Sequence, residues 1–246
     1  MRRATTRAAA RALLAPVLAL ALAAGGCASI GPYDEFRSKR DPLENFNRAV
    51  FGVNEALDQS VFRPLAKGYE WAVPELGRWM IGNVFANLAD LWTAANQLLQ
   101  GKPALAAHDL GRFAINSVFG FGGVTDMAAD FGLRRHREDF GQTLGVWGFG
   151  TGPYLVLPVL GPSNFRDGIG LVLDMQANPL REIDSSGRRN NATLLRAIDT
   201  RASLLKATDV IEGVALDKYL FVRDAHLQRR RSLVYDGNAP PDYGDD

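Results

Sequence analysis

From Phe140 to Phe165 the chain reads FGQTLGVWGFGTGPYLVLPVLGPSNF, without one charged residue. A charge-free apolar run of that length would ordinarily cross a bilayer as a helix. This one cannot form a single helix. It holds six glycines (Gly141, Gly145, Gly148, Gly150, Gly152, Gly161) and three prolines (Pro153, Pro158, Pro162). Each interior proline removes a backbone donor and strikes the preceding turn, and each glycine adds backbone entropy. Tyr154–Leu157, set between Gly152-Pro153 and Pro158, is predicted to be extended or one arm of a hairpin. Non-helical backbone in apolar surroundings needs partners for its N–H and C=O groups, so it must be buried in protein or line a cavity. Two readings stand at this point: a turn-rich buried crossing in a soluble domain, and a membrane-associated or cavity-lining loop.

The N-terminus has a different logic. Met1–Arg11 carries Arg2, Arg3, Arg7 and Arg11 and no acid, and Ala12–Ala24 is a short apolar stretch. Basic, then apolar, then small residues is the pattern of a secretory signal, here 1–26. The small residues Ala24-Gly25-Gly26 lead into Cys27, the one cysteine of the chain. This resembles a bacterial lipobox, with Ala24 where Leu is commoner, and makes Cys27 the expected lipid-attachment site. An uncleaved anchor and an ordinary buried cysteine are the alternatives. The segment is Ala-rich and broken by Pro16 and Gly25-Gly26, which leaves an anchor little apolar drive. Ala28 in place of Asp favours outer-membrane sorting in lipoproteins of that kind. The formal charge of +1 argues against nucleic acid as a partner, and with the four arginines removed 24 basic and 27 acidic residues remain, a net of −3. A lone cysteine also excludes an internal disulfide framework and a Cys-based metal site.

Residues 27–40 read as a polar tether and 236–246 as a disordered acidic tail, Pro- and Gly-rich. Between them, 41–235 reads as a single all-α domain of several amphipathic helices. Asp41, Pro42 and Glu44 predict a capped helix start, with Leu43, Phe46, Val50, Leu57 and Val61 at helical spacing and Pro64 as its end. Asn45, Asn47 and Asn54 lie on or near that face, either satisfying neighbouring backbone or lining a polar passage; the first reading is preferred. Leu65–Val73 is a short segment. Leu76–Asn87 and Leu88–Gln100 are predicted as two helices, Pro103–Phe119 as another, and Asp126–Gly132 as a short helical turn. Trp71, Trp79 and Trp92 suit a membrane-interface belt or a soluble core equally. Arg134–Arg137 is a basic surface cluster, solvated or facing lipid phosphates. Asn164 is placed to cap a helix running to Gln176, and Asn178-Pro179 to break it. Arg181–Asn191 reads as loop, and Ala192–Lys206 and Thr208–Val234 as helices, the last ending in Arg229-Arg230-Arg231. That last helix either packs on the body or projects to dock a soluble partner. Past residue 27 no uninterrupted helix is apolar enough to span a bilayer alone.

Catalytic signatures are sparse. G-x-S-x-G, H-E-x-x-H and the Walker A motif do not occur. His108, His136 and His226 are scattered in sequence, each read as a structural histidine, and adjacent His108-Asp109 would point apart on a helix. Gly148-x-Gly150-x-Gly152 lacks the spacing of a phosphate loop. No cofactor and no metal is expected. The three glycines do place flexible points ahead of stiff Pro153 and Pro158, so Gly148, Gly150 and Gly152 are the expected hinge or gate of the 140–165 loop, or else simply turn residues.

The run FGQTLGVWGFGTGPYLVLPVLGPSNFRD resembles the signature of the MlaA (VacJ) outer-membrane lipoprotein family. DPLENFNRAVFGVNEALD (41–58), NLADLWTAANQLLQGKP (87–103) and RFAINSVFGFGGVTDMAADFGL (112–133) match in the same order. The resemblance spans about Asp41 to Ile183, with little to match beyond. It implies a ring-like body embedded in the outer membrane, lipid-anchored on the periplasmic side, with a Gly/Pro-rich hairpin-like loop around 140–165. It implies removal of mislocalised phospholipid from the outer leaflet, without enzymatic activity. Its implied partners are phospholipid, an OmpC-like porin trimer and a soluble MlaC-like carrier. A membrane-anchored periplasmic lipid hydrolase is the rival function, and a purely structural tether a weaker third.

Overall fold

The computed structural model describes residues 41–240, so Cys27, the signal segment, the tether and the end of the tail lie outside the described residues. The described chain is mostly helical with one two-stranded hairpin. No helix in it is long and apolar enough to cross a membrane.

Helix α1 (Glu44–Leu57) does not begin as the capping pattern predicts: Leu43 is its cap residue, without a side-chain bond. Asp41 is buried instead, accepting from Asn47 Nδ2 at 2.8 Å and from the Tyr219 hydroxyl. A distant tyrosine competes successfully for the carboxylate that local sequence assigns to a cap.

Pro64 does not end this helix either. The chain widens into a π-helical turn, Asp58–Phe62, and continues as α2 (Arg63–Ala72). The wider turn carries the proline ring past the carbonyl it would otherwise strike. The two helices predicted over 76–100 are one, α3 (Glu75–Leu99), about 37 Å long. Gly101, at φ +74°, closes it: Lys102 N donates to Gln97 O and Gly101 N to Leu98 O, a Schellman end. Helix α4 (Pro103–Val118) returns along α3, and α5 (Met127–Asp130) is a single turn.

The Gly/Pro stretch divides into three parts. Phe140–Val146 is helix α6, capped by Asp139, which accepts from Gln142 N; the expected loop therefore starts seven residues later. Then β1 (Tyr154–Leu157) pairs antiparallel with β2 (Gly161–Asn164), with Tyr154 opposite Asn164 and Leu157 opposite Gly161. Helix α7 (Phe165–Gln176) follows, capped by Asn164, which accepts from Asp167 N at 2.9 Å. After a 3₁₀ turn (Pro179–Glu182) comes α8 (Ser186–Ser203), capped by Ser185 inside the segment expected to be loop. The long terminal helix is two, α9 (Leu205–Val214) and α10 (Lys218–Val234). The backbone is extended at Ala215, Leu216 is fully exposed, and Asp217 starts α10 by accepting from Leu220 N.

Helix α1 holds the hairpin by its free edge. Asn47 Nδ2 donates to Tyr154 O at 3.0 Å and Asn47 Oδ1 accepts from Val156 N at 2.8 Å. Asn54 repeats the pattern on Leu157 O (2.9 Å) and Val159 N (2.7 Å). A side-chain amide presents the same donor and acceptor as a neighbouring strand would. Seven helical residues rise about 10.5 Å and three strand residues about 10 Å, so the two amides keep step with the strand. Each such hydrogen bond contributes about 0.5–1.5 kcal/mol net. The second clamp also fixes Val159 at φ +68°, a left-handed conformation that strains a β-branched residue.

Candidate functional site

The interior of this protein is polar and its exterior largely apolar. Along α3 the residues turned inward are Asn83, Asn87, Asp90, Thr93, Ala94, Asn96 and Gln97. Along α4 they are Ala106, Asp109, Arg112 and Asn116. Both sets follow helical spacing, so each helix presents one polar stripe, and the stripes face each other across the hairpin. Gln97 Nε2 donates to Asp109 Oδ2 at 2.7 Å and Asn87 Nδ2 to Ser117 Oγ at 3.1 Å. Thr143 on α6 donates to Asn96 Oδ1 at 2.7 Å.

Opposite faces carry the apolar residues. On α7, Phe165, Ile169, Val172 and Leu173 form one exposed stripe while Arg166 and Gly170 are buried. Trp79 is half exposed and Trp71 90% exposed, and Phe121 is 83% exposed. Trp92 alone of these tryptophans turns in, donating from Nε1 to Asp174 Oδ1 at 2.7 Å. Among the described residues the buried apolar side chains form two small clusters, one around Val50, Tyr154, Val156 and Tyr219 and one around Ala66, Ala202 and Leu205. Soluble monomers seldom expose large apolar residues in this number.

A buried charge cluster sits partway along the α3–α4 pair. Arg112, 0% exposed, donates both to Asp126 (2.7 and 2.9 Å) and to the carbonyl of Leu133, with Asp90 3.6 Å from its Nε. Arg135 turns in to meet Asp90 and Asp126, each at 3.3 Å. Two members of the basic run 134–137, Arg135 and His136, therefore point inward. Burial pushes Asp90 up to about 6, against the pull of Arg135 and Arg112. Burial opposes ionisation of Asp126 as well, but hydrogen bonds from Asn116 and Arg112 outweigh it and hold that carboxyl below the usual range. Among the described residues Asn87 Oδ1 and Gln97 Oε1 are buried without a hydrogen-bond partner.

The residues singled out from sequence fall in different places. Asn45 is exposed on α1. Asn47 and Asn54 are engaged on the edge of β1, the structural role sequence preferred for them. The polar stripe of α3, at 83, 87, 90, 94 and 97, runs across the point where sequence predicts one helix to end and the next to begin. The three glycines also separate. Gly148, at φ +89°, closes α6, with Phe149 N donating to Leu144 O. Gly152, at φ +65°, would bring a Cβ within 2.9 Å of Phe165 Cβ. Gly150 has an ordinary φ and nothing within 4 Å. Beside it the Trp147 Nε1 donates to Leu99 O at 2.9 Å, tying the stretch to the end of α3.

A family model described as MlaA lipoprotein matches residues 39–233, past Ile183 and into α10. An Escherichia coli (strain K12) protein named intermembrane phospholipid transport system lipoprotein MlaA is 34% identical over 220 residues, 88% of this chain and 86% of that one. The Haemophilus influenzae protein of the same name is 31% identical over 221 residues, 88% of each chain. An uncharacterised Rickettsia bellii protein is 34% identical over 204 residues, 82% of this chain and 80% of its own. A solved structure from work on the structural basis for maintenance of bacterial outer membrane lipid asymmetry superposes with TM-score 0.69 at 33% identity, covering 79% of this chain and 98% of that one.

Proposed function

Since this chain belongs to the MlaA lipoprotein family, we propose that it removes mislocalised phospholipid from the outer leaflet of the outer membrane and passes it to a periplasmic carrier, without chemistry of its own. The observation that carries this reading is the inverted burial: polar stripes on α3 and α4 inside, apolar side chains on α7 and around Trp71 and Trp79 outside. An apolar exterior suits hydrocarbon, and helices that cannot span individually suit a body lying within one leaflet. A phospholipid has a charged head and apolar tails. In this reading the polar side of the body accommodates the head while the tails stay on the apolar side. An OmpC-like porin trimer would hold the body in place, and an MlaC-like carrier would receive the lipid.

Purified protein incubated with radiolabelled phospholipid and acceptor vesicles tests the reading. Intact lipid in the acceptor is the expected result; released fatty acid or headgroup would favour the rival hydrolase. Attachment through Cys27 is part of the proposal. Metabolic palmitate labelling should mark the wild type and not Cys27→Ser, and an unlabelled wild type would remove the anchor.

Gating by the 147–153 segment follows from the same reading, since a standing opening would equilibrate the leaflets. Gly150 is the clean position, because valine at Gly148 or Gly152 would strain a positive φ and test only folding. Gly150→Val narrows backbone freedom into open space. We expect unchanged abundance and protease resistance with raised outer-leaflet phospholipid. Normal outer-leaflet lipid in that variant would reject Gly150 as a hinge.

A further inference from the structure

His108 and Asp109 are neighbours on α4, and the segment between Gly132 and α6 brings His136 against them. His136 Nδ1 lies 2.9 Å from Asp109 Oδ2, and His108 Nδ1 lies 3.6 Å from Asp109 Oδ1. The two imidazoles meet edge to face with centroids 5.1 Å apart. One ligand atom from each of the three residues falls within 4.8 Å of the other two.

Hydrogen bonding among the described residues leaves this group unfinished. His108 Nδ1 and Asp109 Oδ1 are both shielded from solvent and have no hydrogen-bond partner there, and Asp109 is 0% exposed. Their 3.6 Å separation is too long for a hydrogen bond. It is close to the spacing of about 3.3 Å between two ligand atoms that share a tetrahedral ion at bonds of about 2.0–2.1 Å. Gln97 Nε2 fixes the other carboxylate oxygen at 2.7 Å, the outer support that orients a ligating carboxylate. The charge balance points the same way. Arg112 and Arg135 engage Asp90 and Asp126, which leaves Asp109 with histidines and an amide. The neighbouring guanidiniums are thus already neutralised by other acids.

We propose that His108, Asp109 and His136 bind a divalent transition-metal ion, Zn²⁺ foremost. Two imidazoles and a carboxylate with one position left for solvent suit zinc, whereas Mg²⁺ and Ca²⁺ want oxygen ligands throughout. The histidines are 26% and 33% exposed, so an ion can enter. Bound there, it staples the segment carrying Arg135 and Glu138 to the α3–α4 hairpin and fixes one wall of the polar interior.

Calorimetric titration of ZnCl₂ into the chelator-stripped full chain in detergent tests this. The expected result is one equivalent bound, weakened about tenfold or more in His108→Ala and in His136→Ala. His136→Cys, which supplies a thiolate in place of the imidazole, should retain binding. Zinc should raise the melting temperature of the wild type and not of the His108→Ala/His136→Ala double variant, whose unchanged circular dichroism would show that it is folded. Unchanged affinity in the folded double variant, which would place the ion elsewhere, or no binding of Zn²⁺ by the wild type would overturn the site. A double variant that fails to fold leaves the decision to the two single alanine variants, where affinity equal to wild type would overturn the site, and to His136→Cys, where loss of binding as large as in His136→Ala would count against a ligand role for this position.

Discussion

Arg112→Ala is expected to lower the stability of the folded chain by about 3–5 kcal/mol, the cost of breaking a buried ion pair from one side. The guanidinium is fully buried and joins three partners that come from different parts of the chain: Asp90 on α3, Asp126 before α5, and the Leu133 carbonyl. Truncation leaves two carboxylates and a carbonyl facing a hole. Arg135 still reaches Asp90 and Asp126, so the loss should be large without abolishing the hairpin. Arg112→Lys keeps the charge but cannot make the paired contact with Asp126 while also reaching Leu133 O, and should recover only part of the difference. Thermal melts in detergent, read beside cellular abundance, measure this. A melting temperature for Arg112→Ala within about 2 °C of wild type would mean that the network contributes little.

Deleting residues 208–246 should give protein that fails to accumulate, because α10 is part of the body. Arg230 donates to Asp139 at 2.5 and 2.9 Å and its Nε lies 2.7 Å from Asp167. It therefore pins α10 to the cap of α6 and the first turn of α7. Tyr219 contributes its hydroxyl to buried Asp41 and its ring to the cluster around Tyr154 and Val156. Hydrogen bonds from Arg230 and Gln142 hold the Asp139 carboxyl below its usual range despite burial. Such a group contributes stability above its unfolded pKa, and that contribution is lost as pH falls through the folded value. Arg230→Ala alone should cost about 2–3 kcal/mol, discounted from the fully buried case because Asp139 is partly exposed. The part of that loss due to ionised Asp139 should shrink in acid. Limited proteolysis of the deletion and melts of Arg230→Ala at neutral and acid pH read these effects. A protease-resistant 41–207 fragment would restore the idea that the C-terminal segment projects to meet a partner.

Much of the chain was legible from local chemistry. The prolines around Tyr154–Leu157 predicted the strand, because a residue without an N–H interrupts a helix wherever the chain goes. Asn164 predicted the start of α7 and Gly101 the end of α3, because caps are satisfied by residues two or three positions away. The four blocks pointed to the family because their residues, in the same order, resemble its signature. Several failures share one cause, which is that the deciding partner lay far off in sequence. Asp41 leaves its cap for Tyr219, 178 residues away. Arg230, one of three consecutive arginines at the end of the last predicted helix, is claimed by Asp139, 91 residues back. His108 and Asp109 acquire meaning only when the loop brings His136 to them. The polar stripe of α3 is visible in the spacing, but which side of an amphipathic helix faces inward depends on what surrounds it. In water the apolar face goes in; here only the packing of α3 against α4 shows that the polar face does. Local sequence determined some of the starts and stops, such as Gly101 and Asn164, since those are contests among near neighbours. Tertiary structure decided which face is inside and which charges meet, since those depend on partners and solvent that no local pattern contains.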